Sequence, residues 1–242
     1  MTLALVDVRA EVMAALHTVI DPELDEPITD LGFVRSILVD DDGVEVHLRL
    51  PTAFCSPNFA YLMASDALDA LRYLEFGEVR VLLDDHHDSD KINAGLAADA
   101  GYRGTFGVEA LDSLDELRRT FAHKAHTAAM ERCVTDMIRR EGVQDSELFH
   151  LTLRDLPPGR EKAALMRRRV SIGLSTCPNS RVMVGEDGRA LTPEQVPMRL
   201  RFARSVRISM EGNGHFCRGL LATRYADGGS TTPEFTDLRR LP

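Results

Sequence analysis

Apolar residues recur at helical spacing near the start of the chain. Val8, Val12, Leu16 and Val19 share one face, which predicts a helix over 8–20 with Asp7 as its cap. Pro22 draws Asp21 out of the helical region and ends that helix. Residues 33–39 read as a strand. After the turn signal Asp41-Asp42-Gly43, apolar and polar positions alternate from Val44 to Leu50, with Glu45, His47 and Arg49 outward. The two runs predict a hairpin. Ser56 and Pro57 open a second helix predicted over 58–74. A third strand is expected over 78–83, and a short helix over 90–100 that Gly101 stops. The order helix, strand, strand, helix, strand, helix describes a small α/β domain over residues 1–104.

Residues 101–111, with Gly101, Gly104 and Gly107, read as a linker. A long helix then runs from Ser113 to Glu141. Ser113 and Glu116 form a capping box, and Arg139-Arg140 precede the stop at Gly142. Further on, the pattern predicts a strand at 147–154, a break at Pro157-Pro158 and a helix at 160–170. It also predicts a turn at Asp187-Gly188, strands at 198–210 and 216–225 joined by Gly212-Asn213-Gly214, and a loose tail from Asp227. Residues 105–242 thus read as a second α+β domain with a long helix and a small antiparallel sheet. The expected fold class is mixed, α+β with an α/β first domain.

Composition narrows the function. Hydrophobic residues make up 44% of the 242, enough for a core. Residues 1–100 carry six Lys/Arg against twenty Asp/Glu, a net of −14, while the rest carry twenty-three against eighteen, a net of +5. Such an acidic first half repels phosphates, which argues against nucleic acid as a partner. No run approaches the roughly 18 apolar residues of a membrane helix, so no membrane partner is expected. The first residues lack the basic region of a signal peptide, so the expected localisation is cytoplasmic. Cys55, Cys133, Cys177 and Cys217 are widely spaced with no CxxC pair, which fits reduced thiols better than a disulfide framework or a zinc ribbon. No serine-hydrolase elbow, phosphate-binding loop or dinucleotide fingerprint supports classical catalysis.

The strongest candidate chemistry lies at Cys55, in Pro51-Thr52-Ala53-Phe54-Cys55-Ser56-Pro57, between a strand end and a helix start. Backbone N–H groups and the positive helix end favour a thiolate there, the form that binds a borderline metal or attacks an electrophile. A small buried apolar role is the alternative. Asp21-Pro22-Glu23, with Glu26 nearby, displays carboxylates at a loop or is a plain capping turn. On the long helix His123, His126, Met130 and Cys133 share a face, offering three ligand types or simply a buried seam. Thr176-Cys177-Pro178 echoes the Cys55 loop, with a core cysteine in a turn as the alternative. In the strand expected at 216–225, His215 and Cys217 would point the same way and could share a metal.

Asp21-Pro22-Glu23-Leu24, then Ile28-Thr29-Asp30-Leu31-Gly32-Phe33-Val34, then Thr52 and Cys55 before a helix, resemble the PaaD/SufT-type iron–sulfur cluster assembly domain over about residues 8–104. Order, spacing and element types agree. The resemblance implies an accessory factor that assembles or delivers iron–sulfur clusters or matures metalloenzymes, with iron or a cluster held transiently. It implies that Cys55 is the reactive or metal-binding thiol and that Asp21, Glu23 and Thr52 shape or supplement its loop. Partners would be assembly-machinery proteins or a client metalloenzyme such as a multicomponent oxygenase, and the chain could form a homo-oligomer. Two departures stand out. Ser56 separates the cysteine from Pro57, and Asp85-His86-His87-Asp88 stands where the family often has Pro-Trp; this chain has no Trp. His86 and His87 thereby enter as further candidate ligands on the side of the cysteine loop. The alternatives are an adaptor that binds no metal and a thiol- or metal-dependent enzyme using Cys55 with His86 or His87.

Overall fold

A computed structural model describes residues 8–110, 113–226 and 232–240. They form two compact units, Met1–Leu114 with Asn213–Pro242, and Asp115–Gly212. The second unit therefore begins ten residues after the expected division at 104, and the chain returns to the first unit at Asn213.

In the first unit the helix expected over 8–20 is α1, Val8–Leu16, with Val8, Val12 and Leu16 buried. It stops early because Thr18-Val19-Ile20 are β-branched and favour extended backbone. Asp7, its expected cap, lies outside the described residues. Short strands β1 (Ile20–Asp21) and β2 (Glu26–Pro27) pair across the Asp21–Glu26 loop. The expected hairpin is β3 (Val34–Val39) and β4 (Gly43–Arg49), followed by α2 (Pro57–Arg72), β5 (Glu78–Asp84) and α3 (Ser89–Ala97). The segment expected as a linker is instead α4 (Gly101–Phe106) and a 3-10 turn to Glu109. Tyr102 and Phe106 pack with Tyr61, ring centroids 5.2–5.8 Å apart, so aromatic burial outweighs the local cost of glycine.

The sheet order is β5-β4-β3-β6, where β6 is Glu234–Asp237. β3 and β4 are antiparallel; β4 runs parallel to β5, and β3 parallel to β6. The tail expected to be loose from Asp227 thus supplies an edge strand, while residues 227–231 lie outside the described residues. On the inner face Val34, Ile37, Val39, Val44, Val46, Leu48, Val81 and Leu83 meet Ala60, Met63, Ala64, Ala67 and Leu71 of α2. The outer face is charged: His47 lies between Asp84 (2.9 Å) and Glu45 (3.1 Å), and Arg35 reaches Asp84 at 2.8 Å.

The second unit contains most of α5 (Leu114–Glu141), then a 3-10 turn (Asp145–His150), α6 (Arg160–Ser171) and the first part of α7 (Val196–Arg224). Its core joins Met130, Cys133, Val134 and Met137 to Leu148, Leu153, Leu165, Val182, Met183, Val184 and Leu200. The small antiparallel sheet expected here is absent among its described residues, where only the bridges Thr152–Arg181 and Val184–Ala190 lie outside named strands. The predicted turn at Asp187-Gly188 closes the second bridge. The strand expected at 147–154 begins as the 3-10 turn instead, with a capping box between Gln144 and Glu147.

The strands expected at 198–210 and 216–225 are corrected to the single helix α7. Val196, Leu200, Ala203, Met210, Gly214 and Leu221 are buried at helical spacing, and this packing overrides the turn signal of Gly212-Asn213-Gly214. Leu221 is 5% exposed within the core of the first unit, and a Cβ on Gly32 would meet its Cδ2 at 3.2 Å. Leu221→Ala is therefore expected to destabilise the chain by about 2–4 kcal/mol in chemical denaturation. A cost near zero would show that this stretch of α7 adds nothing to the core.

His126 of α5 is 1% exposed and its Nε2 finds no hydrogen-bond partner among the described residues. Burial, reinforced by Arg169 and Arg199, pushes its pKa down to about 4. The folded second unit therefore keeps the ring neutral while the unfolded chain takes up a proton below about 6.5. The stability tied to this site is full above about pH 6.5 and is lost as pH falls toward 4, by at most about 3 kcal/mol. Urea unfolding at pH 7 and 4.5 should show the loss, and His126→Leu should flatten it. An unchanged pH slope in that variant would remove His126 as the cause.

Candidate thiol site

The thiol loop leaves the end of β4 and enters α2. Ser56 makes no side-chain cap, and Pro57 occupies the start of the helix, where a missing N–H costs nothing. The loop is held from inside by Thr52, whose Oγ1 accepts the Phe54 N–H (3.1 Å) and lies 3.6 Å from Cys55 Sγ. From the other side it is braced by the segment after β5. His86 is buried and its Nε2 donates to the Cys55 carbonyl (2.8 Å), while its Nδ1 accepts the Asp88 N–H (3.1 Å). These partners assign the proton to Nε2 and occupy both ring nitrogens, so His86 positions the loop rather than ligating. The His87 N–H donates to the Ala53 carbonyl (2.9 Å), and its exposed ring lies 6.1 Å from that of Phe54. Phe54, beside the thiol, is 83% exposed.

A second wall is the Asp21–Glu26 loop. Asp21 is buried, and its Oδ1 accepts the N–H groups of Glu23 (2.8 Å) and Leu24 (2.9 Å), which fixes the turn that Pro22 begins. Burial pushes its carboxyl pKa up to about 6 against the opposing pull of those hydrogen bonds. Glu23 remains half-buried at the mouth of the loop.

The third side is the part of α7 from Asn213 onward, where a turn at 212–214 and a strand over 216–225 were expected. Asn213 Nδ2 donates to Glu23 Oε1 (3.2 Å), and Arg218 pairs with Glu26. Arg224 donates to the carbonyls of Leu50 (3.1 Å) and Asp85. The Tyr225 hydroxyl reaches Asp85 Oδ2 at 3.3 Å, and its ring lies 5.0 Å from the Arg49 guanidinium. Cys217 sits half-buried between Gly214 and Leu221 on the inward face. Burial pushes its thiol pKa up to about 11; the neighbouring Cys55, Asp21 and Glu23 push the same way, and Arg218 opposes them. The thiol loop, the Asp21 turn and this stretch of α7 thus come from three separated stretches of the chain, with Cys217 under the electrostatic influence of Cys55, Asp21 and Glu23. Cys217, expected in a strand beside His215, instead lies on the inward face of a helix, which the spacing of 214, 217 and 221 signals.

Other candidates lie apart from this arrangement. On a helix, residues two apart diverge by about 200°, so His215 and Cys217 do not share a face as they would in a strand; His215 is exposed. His123, His126 and Cys133 belong to the second unit, and at 1.5 Å per residue the first and last are about 15 Å apart along the axis, too far for one metal ion. Cys133 is a core residue whose burial pushes its thiol up to about 12. Cys177 is exposed in the second unit, its N–H donating to Ser175 Oγ (3.2 Å). Among the described residues no three or more His, Cys, Asp or Glu are grouped to hold a metal ion.

Residues 9–83, which contain Asp21, Glu23, Thr52 and Cys55, match the family model described as iron–sulfur cluster assembly protein. An uncharacterized protein of Methanocaldococcus jannaschii is 34% identical over 90 residues, 36% of this chain and 93% of that protein. Residues 9–83 of this chain belong to the iron–sulfur cluster assembly protein family. The iron–sulfur cluster carrier proteins of Mycobacterium tuberculosis (strain ATCC 25618 / H37Rv) and Mycobacterium leprae are 50% and 46% identical to it over 50 residues, 20% of this chain. The match spans only 13% of the length of those carriers. No solved structure matches it significantly. Within the iron–sulfur cluster assembly segment lie the thiol loop and the Asp21 turn; the α7 wall with Cys217 lies outside it. No helix among the described residues is long and apolar enough to cross a membrane.

Proposed function

We propose that this chain is an accessory protein that receives an iron–sulfur cluster as cargo at the Cys55 loop and passes it to a client metalloenzyme. The observation that carries this reading is the placement of Cys55. A half-buried thiol sits on a loop braced by His86 and Thr52, inside the segment that the iron–sulfur cluster assembly family model matches. Thiolate is the ligand type that clusters take. On loading, Cys55 would surrender its proton to solvent and its sulfur would bond to iron, with the Thr52 hydroxyl 3.6 Å away to donate to the thiolate. His86 holds the loop backbone, and the exposed Phe54 beside it gives a client an aromatic contact. The names of the mycobacterial relatives, carriers of clusters, support cargo handling over catalysis. A multicomponent oxygenase is the type of client that the PaaD likeness suggests, and the cytoplasm is the compartment that keeps such thiols reduced.

The test is iron and acid-labile sulfide content of the chain after anaerobic reconstitution, followed by transfer to an apo iron–sulfur protein. Bound iron and sulfide that move to the acceptor support the carrier. A chain that binds neither, yet joins an assembly protein to a client in a pull-down, would be the adaptor instead.

A further inference from the structure

The last turn of α7 reaches the two strand ends from which the thiol loop and its brace depart. We propose that Arg224 is a positioning residue for the Cys55 thiol: one guanidinium ties the start of the thiol loop to the start of the segment that holds it. Its meaning for cargo rests on the carrier reading, but Arg224 lies outside residues 9–83, which the family model matches.

β4 and β5 run parallel, and their ladder ends at the pair Arg49–Asp84. The chain therefore leaves both strands at the same edge of the sheet. From Leu50 it enters the thiol loop; from Asp85 it enters His86, whose Nε2 donates to the Cys55 carbonyl at 2.8 Å. One residue beyond the ladder, Arg224 bridges the two strands. Its Nη1 donates to the Leu50 carbonyl at 3.1 Å and its Nη2 to the Asp85 carbonyl. A planar guanidinium presents its donors at a fixed spacing, so one side chain sets the separation of two carbonyls; the single ammonium of lysine does not.

Asp85 is also where the backbone needs help. Its φ is +54°, in the left-handed region that few residues other than glycine adopt. Such conformations persist only where the surroundings over-determine them. Here three contacts do so. Arg224 holds the Asp85 carbonyl, the Tyr225 hydroxyl donates to Oδ2 at 3.3 Å, and Arg35 lies 3.7 Å from the same oxygen. The Tyr225 ring is seated in turn on the buried Arg49, 5.0 Å from its guanidinium. The left-handed turn is what sends His86 to the thiol loop, so two adjacent residues of the far end of the chain, Arg224 and Tyr225, fix the brace of a thiol almost 170 residues before them in sequence. Arg224 acts through these carbonyls and not on the sulfur.

The experiment follows thiol labelling in the full chain without cargo. Wild type, Arg224→Met, Arg224→Lys, His86→Ala and the double variant are alkylated while folded, and the rates at Cys55, Cys217 and Cys177 are read by mass spectrometry. A hydrogen bond from a charged donor shifts an equilibrium by about tenfold or more, so Arg224→Met should speed Cys55 labelling about tenfold. Exposed Cys177, in the other unit, should keep its wild-type rate. Arg224→Lys, which keeps the charge but not the fork, should fall between. Because Arg224 and His86 act on one brace, the double variant should fall well short of the product of the single effects. Equal acceleration at Cys55 and half-buried Cys217, or a full product in the double variant, would make Arg224 a general anchor of α7 and overturn the proposal. An unchanged Cys55 rate in a folded Arg224→Met overturns it too. If Arg224→Met does not fold, Tyr225→Phe tests the same turn by removing one bond to Asp85, and must speed Cys55 labelling without speeding Cys217. In a second arm, after anaerobic reconstitution with ferrous iron and sulfide, Arg224→Met should lose iron to a chelator at least roughly tenfold faster than wild type, the lower end of what loss of a ligand's support costs. A wild type that binds neither iron nor sulfide would remove the carrier reading and leave the labelling result standing.

Discussion

A Cys55→Ala chain is expected to fold normally and to retain no iron or sulfide after reconstitution. The two halves of that expectation have separate causes. Cys55 is half-buried on a loop whose shape is set by bonds that do not use its sulfur: the His86 bond to its carbonyl, the His87 bond to Ala53 and the Thr52 bond to Phe54. Losing one small side chain there should cost at most about 1–2 kcal/mol. Cargo retention depends on the sulfur itself, since alanine offers no lone pair to iron. Denaturant unfolding and iron analysis on the same preparation read both halves. A chain that unfolds would make Cys55 a core residue. A folded chain that still holds cargo at wild-type levels would move the site elsewhere.

The second large effect belongs to the other unit and is one of stability alone. Glu131 of α5 is 0% exposed and meets Arg207, Arg204 (3.4 Å) and the Thr135 hydroxyl (2.8 Å). Arg207 also pairs with Glu211 at 2.6 Å. Removing one partner of a buried pair leaves a charge less fully compensated, and where no other partner remains such losses run to about 3–5 kcal/mol. Arg207→Ala should therefore lower the unfolding free energy by about 3 kcal/mol, the lower figure because Arg204 stays in reach. Glu131→Leu combined with Arg207→Met should recover most of it, because apolar side chains of similar volume replace a buried pair at little or no net cost. A loss below about 1 kcal/mol in the single variant would mean that Arg204 alone holds Glu131, and that the pair is not what ties α5 to α7 within that unit.

Legibility in the sequence followed the range of the signal. The β3–β4 hairpin, α2 and the Cys55 loop announce themselves locally, through Asp41-Asp42-Gly43, strict alternation and Ser56-Pro57. The Asp21 turn is equally local, because proline and an Asp that accepts N–H bonds two and three residues on are all it needs. α7 was hidden for the opposite reason. Its glycines and β-branched residues Val206 and Ile208 favour turn and strand, and only burial of one face along its length makes it a helix. β6 was hidden as well, since Glu234-Phe235-Thr236-Asp237, three of them polar, become a strand only by pairing with β3. The closing of the first unit by α7 and β6 depends on these long-range choices, and no spacing rule reports it. His86 lay between: its nearness to the thiol loop was foreseen, but its use as a backbone brace rather than a ligand was set by partners on either side of the ring.

The return of the chain to its first unit also bears on how the protein is made. Ribosomes emit about 5–20 residues per second, so the stretch from Leu114 to the last residue takes roughly 6–26 s to appear. For most of that interval the earlier elements exist without Leu221 in their core, and for longer still without β6 along β3, an open edge of the kind that recruits other strands. The first unit is therefore closed only once residues 213–237 have joined it, and until then β3 keeps an exposed edge that chaperones can recognise.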